Sequence, residues 1–146
     1  MNLRSTLILL GMMLGLSSTA SAHPNACSNL TLRGTYAFTI HGQILSPGGP
    51  LVVDGVAKTT FDGYGNLTQV DAVAVDGNLA QIWRPGTGAY TLNADCTGTM
   101  TIFNLNQPAL HLAIVVGHSG DLIHTVVTDP GSAVTSDAER VVAPQN

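Results

Sequence analysis

From Leu30 onward, short runs of Thr, Val, Ile and aromatic residues alternate with clusters of Gly, Asp, Asn and Pro, the pattern of an antiparallel all-β domain. No helical period is sustained, and no internal repeat recurs at a fixed spacing. The first run, Leu30 to Ile44, sets Tyr36, Phe38 and Ile40 against Thr35, Thr39 and His41, so one face is apolar and the other semi-polar. Ser46-Pro47-Gly48-Gly49-Pro50 interrupts it, because proline lacks a ladder donor and glycine tolerates positive φ. A second run covers Leu51 to Phe61, and Asp62-Gly63-Tyr64-Gly65-Asn66 forms a hairpin loop into a third, Leu67 to Val75. Asp76-Gly77-Asn78 turns into Leu79 to Arg84, and Pro85-Gly86-Thr87-Gly88 turns into Ala89 to Asn93. Thr97 to Phe103, Leu110 to Val116 and Leu122 to Thr128 complete the meander. They are joined through Asn106-Gln107-Pro108 and Gly117 to Asp121, and Asp129-Pro130-Gly131 ends the last of them. A final extended piece around Ala138 to Val142 is available to pair with an early strand.

Eight or nine strands in sequential hairpins leave two unpaired edges unless the sheet closes, so the pattern predicts an up-and-down barrel of about eight strands. The alternative is a two-sheet β-sandwich, whose Greek-key crossovers want longer connections than most of these turns. Composition agrees with strands: 16 glycines, 10% charged residues, and one Glu (Glu139) and one Lys (Lys58) leave little material for charged helix faces. Five Lys/Arg against nine Asp/Glu, net −4, exclude a nucleic-acid partner held through its phosphates.

Residues 1–22 read as a signal peptide: Arg4, an apolar run from Leu7 to Leu16, and Ala20-Ser21-Ala22 as the cleavage site. The apolar run is about half of the ~20 residues a membrane-spanning helix needs, so no span remains after cleavage. Residues 23–146 form the expected single domain, secreted or periplasmic. Its two cysteines, Cys27 and Cys96, are expected to pair in the oxidising compartment beyond the membrane. That bond would close a loop of about 70 residues and contribute about 4 kcal/mol.

Four segments carry a family resemblance: Leu32-Arg33-Gly34-Thr35-Tyr36-Ala37-Phe38, Phe61-Asp62-Gly63-Tyr64-Gly65-Asn66, Gly88-Ala89-Tyr90, and Asp95-Cys96-Thr97-Gly98-Thr99. With them the chain resembles a group of small exported bacterial proteins of unassigned function, themselves similar to the allene-oxide-cyclase-like, calycin-type barrels. The resemblance covers nearly all of the mature chain and implies a barrel with a pocket. Such barrels serve as carriers of small apolar molecules or as cyclases. In the plant cyclases an acidic residue stands inside the barrel, and the single Glu here, Glu139, lies near the C-terminus.

The residues themselves offer an aromatic wall of Tyr36, Phe38, Trp83, Tyr90 and Phe103 for a small apolar ligand, unless these side chains simply fill the barrel. Small residues at possible interior positions (Gly55, Ala57, Ala72, Ala74, Gly98) leave room for a cavity. His111 and His124 are the candidate polar or proton-transfer groups. A two-residue turn at Gly117-His118 would set them opposite each other, whereas a five-residue turn would send them to different faces. None of the five histidines (His23, His41, His111, His118, His124) has metal-ligand spacing, so neither a metal nor a cofactor is expected. A hairpin centred on Tyr64 pairs Asp54 with Ala74 and Asp71 with Ala57, which sends the two carboxylates to opposite faces and excludes an acid–base couple. Each is read as a solvated outer-face residue. Gly117-His118-Ser119-Gly120 lacks the spacing of a nucleophile elbow. Three functions follow: an apolar-ligand carrier first, then a cyclase or isomerase of the same fold, then an envelope or surface interaction protein with a packed core.

Overall fold

The computed structural model describes residues 26–141. The signal-peptide segment and the residues after Val141 lie outside the described residues. Nine strands follow one another: β1 (Arg33–Ser46), β2 (Gly49–Asp62), β3 (Asn66–Val75), β4 (Asn78–Leu79), β5 (Arg84–Leu92), β6 (Thr97–Asn104), β7 (Leu110–Gly117), β8 (Leu122–Val127) and β9 (Ser132–Arg140). All pairings are antiparallel. β2 bonds β3 as well as β1, and β9 bonds β1, so eight strands close a barrel while β4 adds a short outer rung to β3. Closure leaves the eight barrel strands no free edge.

Local side chains set the connections. In the 62–66 loop the Asp62 carboxylate accepts the Tyr64 and Asn66 backbone N–H at 2.6 and 3.0 Å and the Asn66 amide at 2.7 Å. This Asx geometry fixes the β2–β3 register, with Asp54 opposite Ala74 and Ala57 opposite Asp71. At the next turn Asp76 adopts φ +49° and its carboxylate accepts the Val52 N–H at 2.9 Å.

Three expectations need correcting. Pro85-Gly86-Thr87-Gly88 is strand rather than turn: it belongs to β5, pairing with β3 through Val70–Pro85 and Leu67–Gly88. Its glycines serve close approach, since a Cβ at Gly88 would collide with the Thr101 carbonyl oxygen. The expected Leu79–Arg84 strand shrinks to Asn78–Leu79. The final strand begins at Ser132, six residues before Ala138, and is the one that closes the barrel on β1. Of the small residues, Gly55, Ala57 and Gly98 share the inward phase of their strands. Ala72 and Ala74 pair with exposed Val56 and Asp54 on the outer face.

One end of the barrel is plugged. Phe61 stands edge-to-face between Tyr36 and Tyr90, with centroids 5.3 and 5.0 Å away. Leu32, Leu92, Ile114 and Ile123 fill the space around them. The phenol groups are satisfied: Tyr36 donates to the Gly120 carbonyl, and Tyr90 lies 2.9 Å from that of Leu32 and 3.0 Å from that of Asn29. Burial pushes both phenols above the ordinary tyrosine pKa. Arg140 covers the Tyr36 ring at 4.9 Å and pairs with Asp121 at 2.9 Å. Cys27 and Cys96 are bonded at this end, with Cα atoms 5.0 Å apart, tying the segment before β1 to the β5–β6 turn. A structural disulfide fits a protein that works outside the cytoplasm.

Candidate ligand cavity

The other half of the barrel is not filled. Inward positions here carry aliphatic side chains such as Ile40, Val53, Ala57 and Val73, where the plugged half carries Tyr36, Phe61 and Tyr90. The missing volume is a cavity of about 680 Å³ that opens between the ends of β1, β3, β6 and β8. It lies within the ~300–1,000 Å³ of typical small-molecule sites. Phe38, Ile40, Val53, Ile102, Leu112 and Val134 supply apolar wall. On the β8–β9 side, Thr125 and Ser136 satisfy each other at 2.7 Å.

A polar stripe runs up the opposite wall toward the mouth. Gln69 and Asp71 take successive inward positions on β3, and Arg84 stands directly across from Asp71 on β5. The guanidinium grips the carboxylate in a fork: Arg84 Nε donates to Asp71 Oδ1 and Nη2 to Oδ2, each at 3.0 Å. Gln69 Nε2 donates to the same Oδ2 at 3.1 Å, and Arg84 Nη1 donates to Gln107 Oε1 at 2.7 Å. The Asp71 side chain is 5% exposed and that of Arg84 23%. Beside this stripe the Oδ1 of Asn104 is buried and has no hydrogen-bond partner among the described residues. Asn104 pairs with Gly86, where a Cβ would come within 2.5 Å of that oxygen.

Asp71 was expected on the solvated outer face and is instead the buried carboxylate of the cavity, while Asp54 is exposed as read. The signal was available: Asp71 shares strand parity with Leu67 and Gln69, and Arg84 follows in the next strand of the ladder. Among the seven candidate ligand-binding residues, Phe38 lines the cavity. Tyr36 and Tyr90 belong to the plug. Trp83, 55% exposed, sits in the segment before β5 at φ +56°, and Phe103, 51% exposed, points outward from β6. His111 and His124 face outward as well. The β7–β8 connection has four residues, so His124 pairs with Val115, four positions along β7 from His111 on the same outer face. Neither turn length considered from the sequence gives this arrangement. Each imidazole has a carboxylate instead: His111 Nδ1 lies 2.8 Å from Asp129, and His124 Nδ1 lies 2.6 Å from Asp137. The backbone N–H and ring of His111 hold the Asp129 carboxyl below its ordinary pKa.

No protein-family model, curated protein or solved structure matches the chain. Among the described residues the titratable groups lining it are Asp71, Arg84 and Asp129, the last at the lip. Both oxygens of Asp71 are engaged, so proton transfer there would first have to break the fork. No group of three or more His, Cys, Asp or Glu side chains that could hold a metal occurs among the described residues. No described helix is long and apolar enough to cross a membrane. What the arrangement offers is a deep apolar wall with one polar flank near the entrance.

Proposed function

We propose that the protein is an exported carrier that holds a small, largely apolar molecule in the open half of its barrel. The observation that carries this reading is the cavity of about 680 Å³. Its binding free energy would come chiefly from apolar surface withdrawn from water, at about 25 cal/mol per Å². The division of labour within the barrel supports it: the plugged end and the disulfide maintain the fold, so the interior nearer the mouth need not be filled. The resemblance of the turn motifs to allene-oxide-cyclase-like barrels implies a pocket and is shared by the carrier and cyclase readings. A cyclase or isomerase is the less favoured alternative, because the buried carboxylate is committed to Arg84 and Gln69 and both candidate histidines face outward. A packed-core interaction protein is disfavoured by the cavity itself.

Native mass spectrometry of the protein exported with its own signal, beside a denatured, non-reduced spectrum, tests the carrier reading. A small-molecule adduct that is lost on denaturation is expected. An apo spectrum, together with failure to bind any apolar probe, would overturn the reading. The denatured mass also checks cleavage after Ala22 and the two hydrogens lost on bridging Cys27 to Cys96.

A further inference from the structure

Resting on the carrier reading, we infer that the cavity selects an uncharged amphiphile whose hydroxyl-type head lies between Arg84 and Asn104 at the mouth while its apolar body reaches inward. The hydrogen-bond inventory of the polar flank defines the head. A guanidinium has five N–H donors. Three are spent here, two on Asp71 and one on Gln107 Oε1, which leaves two for a ligand oxygen among the described residues. Asn104 Oδ1 is a buried acceptor without a donor, turned against Gly86, an arrangement that folded proteins rarely leave uncompensated, and a swing of its amide away from Gly86 presents it to the head of a ligand. Asn104 stands across from Gly86, the next inward position after Arg84, so spare donors and spare acceptor sit on one flank. A hydroxyl can accept from the first and donate to the second, which neither a carboxylate nor an ammonium can do.

Charge selects in the same direction. The Arg84 cation is neutralised by Asp71, and Asp129 at the lip adds a second anion. A carboxylate head would have to displace Asp71 from a fork reinforced by Gln69, or stand as a third anion beside one cation at the mouth. An ammonium head would meet the guanidinium and find the Asp71 oxygens accepting from Arg84 and Gln69 and the Asp129 oxygens accepting from the backbone and ring of His111.

Three probes with one tail test this at near-neutral pH: decan-1-ol, decanoate and decylammonium, with affinities measured by competition against a neutral fluorescent probe. Decanol is expected to bind tighter than either charged probe by on the order of tenfold or more. A charged probe within a few-fold of decanol would overturn the inference and leave the carrier reading standing. Failure of all three would overturn the carrier reading and the inference with it. Asp71→Asn frees the guanidinium, so it is expected to shift the decanoate-to-decanol preference toward decanoate. An unchanged ratio in a variant with native circular dichroism would count against the inference. Should Asp71→Asn not fold, Asn104→Leu serves instead: decanol affinity falls several-fold while decane affinity does not. Equal effects on both would refute the assigned head position.

Discussion

Replacing Arg84 with Met tests whether the Asp71–Arg84 fork behaves as a buried pair. The substitution removes two hydrogen bonds of 3.0 Å from a carboxylate that is 5% exposed, leaving Gln69 as its remaining side-chain donor. Removing one partner of a buried pair costs about 3–5 kcal/mol, because the other charge stays desolvated and uncompensated. Arg84 is 23% exposed at a mouth open to water, which places the expected loss near the lower bound, about 3 kcal/mol. Against a total stability of ~5–15 kcal/mol for a domain, that loss is easily resolved by urea denaturation at pH 7. The double variant Asp71→Leu/Arg84→Met supplies the second half of the argument. It removes both charges from an otherwise apolar wall and is expected to lie within about 1 kcal/mol of the parent, or above it. Such a pattern means the pair is not required for stability, and its place in the cavity is then explained by what it presents to a ligand. A loss below ~1 kcal/mol for Arg84→Met would be the behaviour of a solvent-screened surface pair and would refute the reasoning.

Reduction of the Cys27–Cys96 bond, which spans 69 positions, is expected to destabilise the fold by about 4 kcal/mol, read as a lower unfolding midpoint with reductant. Gly88→Ala drives a Cβ into the Thr101 carbonyl oxygen, a backbone atom that cannot turn away, and a loss of about 1–3 kcal/mol is expected in the same assay. Acid should destabilise the protein through Asp62, Asp95 and Asp129, whose carboxyls are held below their ordinary pKa by hydrogen bonds from Asn66, Thr97 and His111 respectively. A depressed folded-state pKa gives stability that is present above the unfolded value, 3.8, and is lost as pH falls from there through the folded value. The denaturation midpoint should therefore decline on acidification below about pH 4, and Asp62→Asn should flatten that decline.

The connections could be read from the sequence because their chemistry is local. Asp62 and Asn66 make their own loop, and centring the hairpin on Tyr64 yields the observed pairing of Asp54 with Ala74. Which face of each strand turns inward could not be read so simply. The outer surface carries Val52, Val56, Phe103, Val115 and Val126, while the interior accepts Gln69, Asp71 and Thr125, so hydrophobic alternation does not separate inside from outside. Asp71 and Phe103 were misplaced for that reason, whereas the faces of His111 and His124 hung on the length of the β7–β8 turn. Gly86 and Gly88 misled differently: a glycine that lets a neighbouring backbone approach looks the same in sequence as one that makes a turn.

The barrel divides along its length between stability and specificity. Tyr36, Phe61 and Tyr90, the short segment before β1 and the disulfide concentrate the large buried side chains and the covalent tie at one end. The mouth half has an unfilled interior, a forked ion pair and an unpartnered amide oxygen, none of which a core optimised for packing would select. Exposed Leu45 near the end of β1, Ile82 and Trp83 before β5 and Leu105 after β6 lie at the same end, so an apolar molecule would reach the cavity past apolar side chains. Substitutions within the plug should therefore change stability while leaving the affinity of a bound molecule unaltered, and substitutions on the polar flank should change which molecule is bound. If plug and flank variants instead shifted stability and affinity in proportion, the two halves would be one cooperative unit and the division would fail.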